Sequence, residues 1–423
     1  MRASTNQSGE AWIGVVPERW SVEPLGRWFR ERKATVSDAD FAPLSVTMQG
    51  IVPQLENVAK TDNNANRKLV RKGDFAINSR SDRKGSAGVS GLDGSVSVIT
   101  TVLQPRGLNP RFTHHLLRSR PFQEEFYRWG HGIVDDLWST KWSDMKSIKI
   151  PVPPEPEQRA IADYLDRETA QIDAFIAKNE ELIALLAERR ASVIGGAVTR
   201  GTDEAAELST EGPDWIGAVP AAWTVQPIKN AYSVVVGKML NESKSEGEPV
   251  PYVRAANIQP EGLDLSDVKE MKATAADRRA LALRSGDVVF VEGGGGYGRS
   301  DYLTRDLPGW VFQNHVIRLR SRPGHDGRFL NYWLQHVRQL GHYEALSAFA
   351  TIPNVSGDKL GRIEMPVPSL SEQREIVEHI EEATSQIDAA VAVAQRSVDL
   401  ARERRAALIS AAVTGKIDVG VAV

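Results

Sequence analysis

The chain has 423 residues, with 52 Lys and Arg against 55 Asp and Glu, 41% hydrophobic residues and no cysteine. This composition is typical of a globular protein of two to four domains. The lack of cysteine excludes disulfide frameworks, thiolate metal sites and cysteine nucleophiles. No apolar run approaches the roughly 18 residues that span a bilayer, and the first residues lack the hydrophobic stretch of a signal peptide. We therefore expect a cytoplasmic protein.

Charge is distributed unevenly along the chain. Residues 27–149 contain 20 basic and 13 acidic residues, and residues 228–365 contain 18 and 16. The other two segments are acidic, with 6 basic and 13 acidic residues in 155–212 and with 6 and 9 in 366–423. Two segments could therefore face a polyanion such as DNA, and two could not do so favourably.

Two motifs each occur twice. The opening motif Trp-Ile-Gly, followed by Pro and Trp, lies at residues 12–20 and again at 215–223. The motif Pro-Val-Pro, followed by Glu-Gln-Arg, lies at residues 151–159 and again at 366–374. An internal repeat of this length predicts two copies of one structural unit.

Each half is predicted to be a mixed α/β unit. A strand leads into a turn, a Gly-Asp turn precedes a second strand, a polar or Gly-rich loop follows, and a short helix comes next. These features lie at residues 43–47, 72–77 and 111–118 in the first half and at 251–254, 285–290 and 328–335 in the second. A constant frame with different loops is typical of a protein with two different binding surfaces.

The first half carries cations on two loops. Arg80, Arg83 and Lys84 follow the second strand, and Lys141 lies on a polar loop before the Pro-Val-Pro motif. Arginine and lysine suit phosphates and the O6 and N7 edge of guanine. We predict that these four residues contact DNA, and a solvated loop is the alternative for each.

The corresponding loop of the second half, residues 293–298, has the spacing Gly-x-Gly-x-x-Gly. A dinucleotide fingerprint needs a helix directly after the glycines, and the polar residues that follow do not predict one. We predict a flexible loop that approaches DNA instead. The predicted DNA contacts of this half are Arg254, Asn257, Tyr297, Arg299, Thr351 and Asn354.

No catalytic motif is present. Asn109-Pro110-Arg111-Phe112 lacks the second proline of the Asn-Pro-Pro-aromatic motif of adenine methyltransferases, and we interpret it as a helix start. The chain has no Walker-A loop and no His-Glu-x-x-His pair. His114 and His115 are adjacent, so their side chains point apart on a helix. We predict no catalytic residue, no metal site and no cofactor bound by this chain.

Two long helices are predicted after the Pro-Val-Pro motifs. Apolar residues recur every three or four positions, and about 40 residues at 1.5 Å each span roughly 60 Å, which suits a spacer. Helices that merely cap their own domains are the alternative. The predicted seam, which would also bind a partner, comprises Ile161, Leu165, Ile172, Phe175, Leu182 and Leu186 in the first helix and Ile376, Ile380, Ile387 and Leu408 in the second.

These doubled motifs resemble those of the specificity subunits of Type I restriction-modification enzymes, over about residues 10–414. The resemblance implies an α/β fold in which two mixed α/β target-recognition domains are separated by two long antiparallel coiled-coil helices, with a pseudo-twofold internal repeat. It implies a first recognition domain at 1–154, a first spacer helix at 155–199, a linker at 200–212, a second recognition domain at 213–369, a second spacer helix at 370–414 and a tail at 415–423.

The resemblance also implies a function and partners. Each domain would read one half of a bipartite target in double-stranded DNA, without catalytic activity of its own. Two modification subunits, which methylate adenine with S-adenosylmethionine, would dock on the conserved helices, and restriction subunits would use ATP with Mg. From the residues alone, a two-headed scaffold that binds proteins without DNA stays open as an alternative.

Overall fold

The structure is a computed structural model that describes residues 4–54, 66–80, 83–133, 138–240, 246–260, 262–347 and 354–419. Contacts divide the chain into two units, one formed by Met1–Glu180 with Gln395–Val423 and the other by Glu181–Ala394. The division falls within each of two long helices, so each unit contains part of both. No helix in these described ranges is long and apolar enough to cross a membrane.

The chain up to Arg200 forms thirteen strands and five helices in its described part. The strands are β1 Thr5–Gln7, β2 Val15–Pro17, β3 Ser21–Pro24, β4 Phe29–Glu31, β5 Thr35–Val36, β6 Leu44–Thr47, β7 Gly50–Pro53, β8 Arg67–Val70, β9 Phe75–Asn78, β10 Ala87–Val89, β11 Gly94–Val96, β12 Thr100–Pro105 and β13 Lys149–Val152. The helices are α1 Leu25–Trp28, α2 Pro110–Arg118, α3 Arg120–Arg128, α4 Trp142–Met145 and α5 Glu155–Arg200.

The rest of the described chain forms thirteen strands and six helices. The strands are β14 Leu208–Ser209, β15 Val219–Pro220, β16 Thr224–Pro227, β17 Tyr232–Val236, β18 Glu248–Val253, β19 Ile258–Gln259, β20 Gly262–Leu263, β21 Lys269–Ala273, β22 Val288–Val291, β23 Ser300–Tyr302, β24 Val311–Phe312, β25 Val316–Ser321 and β26 Glu364–Val367. The helices are α6 Ile228–Ala231, α7 Ala275–Ala280, α8 Gly327–Gln339, α9 His342–Ser347, α10 Gly357–Arg362 and α11 Leu370–Val413, and a 3-10 turn spans Ala255–Asn257.

The two units have the same sheet plan. The main sheet runs β10-β9-β12-β4 in the first unit and β23-β22-β25-β17 in the second, and every pairing in both is antiparallel. The Pro-Val-Pro strand pairs with the strand after the opening motif in each unit, as β13-β3 and as β26-β16. The repeat seen in the sequence is therefore a repeat of topology.

The opening motif stabilises this frame. Ile13 and Ile216 are 0% and 7% exposed, and Trp20 and Trp223 are also buried. Gly14 and Gly217 have φ values of +73° and +78°, a region that glycine adopts without a steric cost. The motif is a buried turn, which explains why its residue types recur.

The Glu-Gln pair at the start of each long helix is equally structural. Gln158 is 3% exposed; its amide donates to Pro153 O at 2.9 Å and accepts from Asn109 N at 2.9 Å. Gln373 is 0% exposed and makes the same two bonds, to Pro368 O at 2.9 Å and from Asp326 N at 2.8 Å. Each glutamine thus ties the start of a long helix to the loop that precedes α2 or α8.

Both ends of the long helices belong to the cores of the units. The first core combines β9, β12 and α2 with Ile161 and Leu165 from the start of α5 and with Ala412 and Val413 from the end of α11. The second core combines β22, β25 and α8 with residues from the end of α5 and the start of α11, namely Ile194, Ala197, Val198, Ile376, Val377 and Ile380. Four predicted seam residues, Ile161, Leu165, Ile376 and Ile380, are therefore core residues of the units.

In the middle of α5 the structure corrects the predicted seam by one residue at alternate positions. Phe175 and Leu182 are 48% and 44% exposed, whereas the neighbouring Ile176 and Ile183 are only partly exposed. Ile172 and Leu186 are likewise partly exposed and Ile387 is 7% exposed, as a seam requires. An α-helix has 3.6 residues per turn, so successive seam residues are alternately three and four positions apart. The pattern of apolar residues alone did not show which of the two spacings comes first.

Ion pairs join α5 to α11 within each unit. In the first unit, Arg405 Nε lies 2.8 Å from Asp173 Oδ1, and Arg402 Nη2 lies 2.6 Å from Glu180 Oε1. In the second, Arg190 Nε lies 2.9 Å from Asp388 Oδ1. Between the two ion pairs of the first unit, the residue number rises along α5 and falls along α11, so the paired segments run antiparallel.

Candidate nucleic-acid interface

In both units a central strand of the main sheet ends in the same backbone frame. After β9, Ser79 N donates to Ile99 O at 3.3 Å, and Ser79 O accepts from Thr140 N at 3.0 Å. After β22, Glu292 N donates to His315 O at 3.0 Å, and Glu292 O accepts from Val355 N at 2.9 Å. The next residues form equivalent antiparallel bridges, Arg80 with Ser139 and Gly293 with Asn354. The two polar loops that the sequence places far apart are therefore adjacent in each unit.

The first unit presents cations at this strand end. Arg80, Arg83, Lys84 and Lys141 are all exposed. Lys84 Nζ lies 5.4 Å from the ring of Tyr127, whose hydroxyl donates to Arg80 O at 3.2 Å. A cation held over an aromatic ring is partly ordered before a ligand arrives. The arrangement suits contacts with phosphates.

The second unit presents a cavity at the same strand end. It has a volume of about 800 Å³ and lies between the 3-10 turn, the glycine loop, the turn before β25 and Asn354. Gly294 has a φ of +84°, and a Cβ at Gly294 or Gly295 would meet nothing within 4 Å. The bare loop leaves room for a base or a sugar-phosphate backbone to approach closely.

Three predicted contacts of the second unit are used by the unit itself. Asn257 is 3% exposed, and its side chain accepts from Arg254 N at 3.0 Å and donates to Asp264 O at 2.8 Å. The Arg254 side chain is 19% exposed and is paired with Asp267. Tyr297 packs against the core and its hydroxyl donates to Tyr343 O at 2.7 Å. Asn257 is a buried loop organiser, which corrects its prediction as a DNA contact. The Nη2 group of Arg254 and the hydroxyl of Tyr297 are engaged within the unit.

Two predicted contacts lie at the cavity. Arg299 is half-buried, donates to Gln259 Oε1 at 3.3 Å and lines both this cavity and a neighbouring one of about 510 Å³ that also contains Arg190 and Arg338. Asn354 is exposed at the rim. Thr351 lies outside the described residues.

Four residues that the sequence patterns did not predict also line this cavity, namely Gln259, Glu292, Asn314 and His315. Burial raises the pKa of the Glu292 carboxyl, and the nearby His315 acts in the opposite direction. The missed signal is positional, because Glu292 directly follows a fully buried strand and Asn314-His315 belongs to a short polar stretch between two apolar runs. Polar residues at strand ends face the same edge of a sheet when the strands are neighbours.

The motifs that suggested other chemistry have structural roles. The glycine loop leads into strand β23 rather than a helix, so it is not a dinucleotide fingerprint. Asn109 caps α2 by accepting from Arg111 N and Phe112 N, as a helix start requires. Among the described residues there is no group of three His, Asp or Glu side chains that could hold a metal ion.

A second surface lies on the long helices of the first unit. A groove of about 430 Å³ runs between α5 and α11 and is lined by Glu168, Gln171, Ile172, Phe175, Ser397, Leu400, Ala401 and Arg404. Phe175 is 48% and Leu400 is 65% exposed. Large apolar side chains exposed side by side mark a protein contact surface.

Comparisons with known proteins agree with this architecture. Residues 220–391 match the family described as Type I restriction modification DNA specificity domain. The StySPI specificity subunit of Salmonella potsdam and the EcoKI specificity subunit of Escherichia coli K12 are each 23% identical over 213 residues, 48% of this chain and 44% of the relative. The alignments thus span less than half the length of these two relatives.

Two further similarities extend over more of the chain. The putative MjaX specificity subunit of Methanocaldococcus jannaschii is 22% identical over 322 residues, 74% of this chain and 69% of the relative. A chain from a solved structure concerned with complex assembly and conformational transition of the type I R-M system covers 95% of this chain and 99% of its own length, with a TM-score of 0.64 and 17% identity. That similarity shows a shared fold. Residues 220–391 thus match a Type I restriction modification DNA specificity domain, and the chain with its doubled motifs and duplicated sheet plan is similar to Type I restriction-modification specificity subunits.

Proposed function

We propose that this chain is the DNA-recognition subunit of a Type I restriction-modification complex and that each unit reads one half of a bipartite target in double-stranded DNA. The observation that carries the proposal is the shared backbone frame at the ends of β9 and β22. Both have one backbone frame, yet Ser79, Arg80 and Ile99 in one unit stand where Glu292, Gly293 and His315 stand in the other. A shared frame with different polar side chains suits the reading of two different short sequences.

In this proposal the chain supplies recognition and no catalysis. The cations of the first unit hold phosphates and set the position on the duplex, and side chains at the strand ends reach base edges. Methylation with S-adenosylmethionine belongs to the modification subunits, and ATP with Mg belongs to the restriction subunits. The complex acts on cellular DNA in the cytoplasm.

The groove on the helices is the proposed docking site for a modification subunit. The segments around it are acidic overall, so phosphate is an unfavourable occupant, whereas exposed Phe175 and Leu400 suit an apolar protein surface. Leu185 occupies on α5 the position that Leu400 occupies on α11, and it is 55% exposed. We therefore propose one docking site in each unit and two modification subunits in the complex.

Methylome sequencing tests the recognition proposal. A host that expresses this chain with its modification subunit is compared with the same host lacking this chain. We expect a new methylated adenine motif of two short half-sites around a fixed gap, and replacing residues 27–149 with the segment of another family member should change one half only. If the active modification subunit gives no motif, a two-headed protein scaffold becomes the better account.

Copurification tests the docking proposal. We expect Leu400→Asp and Leu185→Asp each to reduce the modification subunit from two copies per complex to one, and the double variant to abolish binding. Leu208→Asp is the control, because Leu208 is 46% exposed and lies on β14, outside the long helices. Full copurification of the double variant would contradict docking through these surfaces.

A further inference from the structure

One position of the shared frame carries opposite chemistry in the two units. In the first unit, the Ser79 hydroxyl donates to Ile99 O at 2.6 Å, so this side chain is satisfied within the frame. In the second, the equivalent Glu292 is half-buried and faces the cavity of about 800 Å³. Within the described ranges no hydrogen bond or ion pair engages its carboxylate. Because a half-buried carboxylate is partly dehydrated, it is favourable only if a hydrogen-bond donor replaces the lost water.

The surroundings of Glu292 otherwise suit nucleic acid. Arg299, Asn314, His315 and Asn354 line the same cavity, and the glycine loop leaves one wall bare. A carboxylate is repelled by phosphates, so on such a surface it is favourable where it meets a hydrogen-bond donor such as an amino group of a base. An ionised carboxylate accepts hydrogen bonds and cannot donate them.

The base that fits is cytosine. In the major groove the donors are cytosine N4 and adenine N6. Adenine N7 is an acceptor beside N6 and would repel the second carboxylate oxygen, whereas cytosine presents no acceptor there. The guanine opposite that cytosine presents N7 and O6, which suit a donor such as Arg299.

We propose that Glu292 is a specificity-determining residue that accepts a hydrogen bond from the N4 amino group of a cytosine in the half-site read by the second unit. This inference rests on the proposed function, since it names a base within that bipartite target. It requires a C·G pair in that half-site.

The test uses the full chain with its modification subunit and a plasmid library randomised over the second half-site. The variants are Glu292→Gln, whose amide pairs with adenine N6 and N7, and Glu292→Ser, which installs the residue of the first unit. Wild type should prefer C·G at one position by about tenfold or more. Glu292→Gln should prefer A·T at that position, and Glu292→Ser should accept all pairs there.

Two controls keep the outcomes distinct. Glu270→Gln makes the same charge change at an exposed residue of β21 and should leave the motif unchanged. The first half-site is an internal control for folding and assembly and should be the same for every variant. If wild type gives no bipartite motif, the proposed function itself fails.

A bipartite wild-type motif without a C·G pair in the second half-site would overturn the inference. Given a motif that contains such a pair, three further results would overturn it. The first is an unchanged motif in both Glu292 variants. The second is a change at a position where wild type does not require C·G. The third is loss of methylation in both variants while Glu270→Gln remains active, because that result would assign Glu292 to folding or assembly.

Discussion

At the scale of single residues, a buried carboxylate holds the Gly-Asp turn of each unit. Asp287 is 1% exposed, accepts from Arg320 Nε at 2.6 Å and Nη2 at 2.7 Å, and also accepts from Arg284 N at 2.7 Å. Asp74 makes a similar pair with Arg32, at 2.6 Å and 3.0 Å, although Arg32 follows β4 whereas Arg320 lies on β25. In the second unit the bond to Asp287 raises the pKa of Arg320. We therefore expect the turn to depend on this pair.

Asp287→Ala should destabilise the second unit by about 3–5 kcal/mol, because it leaves the Arg320 guanidinium without its partner. Asp358→Ala is the control, because its pair with Arg362 is 69% and 67% exposed and should contribute less than about 1 kcal/mol. Urea unfolding compares the two variants. Equal midpoints would show that the buried pair does not hold the turn.

His114 makes the first unit sensitive to acid. Burial, and then the adjacent Arg118 guanidinium and His115, lower the pKa of His114 from 6.5 to about 4; Asp166 acts in the opposite direction, and Arg405 again lowers it. The folded chain thus keeps the imidazole neutral where the unfolded chain protonates it. Because the unfolded state binds more protons between pH 6.5 and 4, stability is complete above pH 6.5 and falls as the pH drops through this window.

His114→Asn should reduce the loss of stability between pH 7 and pH 5 by on the order of 2 kcal/mol. Asparagine is a conservative choice because Asn331 occupies the equivalent position of α8. Urea unfolding at the two pH values measures the effect, and His131→Asn, at an exposed residue, is the control. An identical pH dependence in wild type and His114→Asn would refute this role.

At the scale of elements, adjacent residues on the long helices differ sharply in burial. Val398 is 1% exposed and Val393 is 55% exposed, although both are valines on α11. Ala394 and Ala401 are 3% and 9% exposed, so the buried face of α11 advances in steps of four and three residues through 394, 398 and 401. Small residues on this face let a partner helix approach closely.

Val398→Ala should cost about 2 kcal/mol, because two buried methyl groups are lost and a cavity is left. Val393→Ala should change stability by less than about 0.5 kcal/mol, since alanine favours the helix and no packing is removed. Thermal unfolding followed by circular dichroism compares the pair. Similar losses of stability in both variants would contradict the assignment of Val398 to the buried face of α11 and of Val393 to its exposed face.

At the scale of the whole molecule, the chain segment between α5 and β14 connects the two copies of the repeat. β14 pairs with β15 as β1 pairs with β2, so Leu208–Ser209 already belongs to the second copy. The stretch at residues 201–207 is what remains as a connection. Both of its ends lie in the second unit, because the end of α5 belongs to the core of that unit. We therefore expect its length to have no effect on the gap between the two half-sites.

Inserting four residues within 202–206 should lengthen a loop of the second unit and leave both half-sites and the number of base pairs between them unchanged. Methylome sequencing of the insertion variant gives the result directly. The same insertion at Gly91 of the first unit, where an added Cβ meets nothing within 4 Å, is the matched variant and should likewise leave the gap unchanged. A changed gap in the 202–206 variant alone would show that this connection helps to set the distance between the half-sites.

The sequence by itself determined the duplication, the order of strand, turn and helix common to both copies, the two long helices and the resemblance to specificity subunits, because these depend on local patterns: the repeated motifs, the Gly-Asp turns and the spacing of apolar residues. Only the tertiary structure decided which alternate seam positions are buried, that Asn257 organises a loop, and that Glu292 and His315 share a cavity with Asn354. These outcomes depend on contacts between residues far apart in the chain, such as the bridge from Gly293 to Asn354. Local propensity carries no information on which distant strand ends will meet. At these strand ends the two copies of the frame have different surfaces.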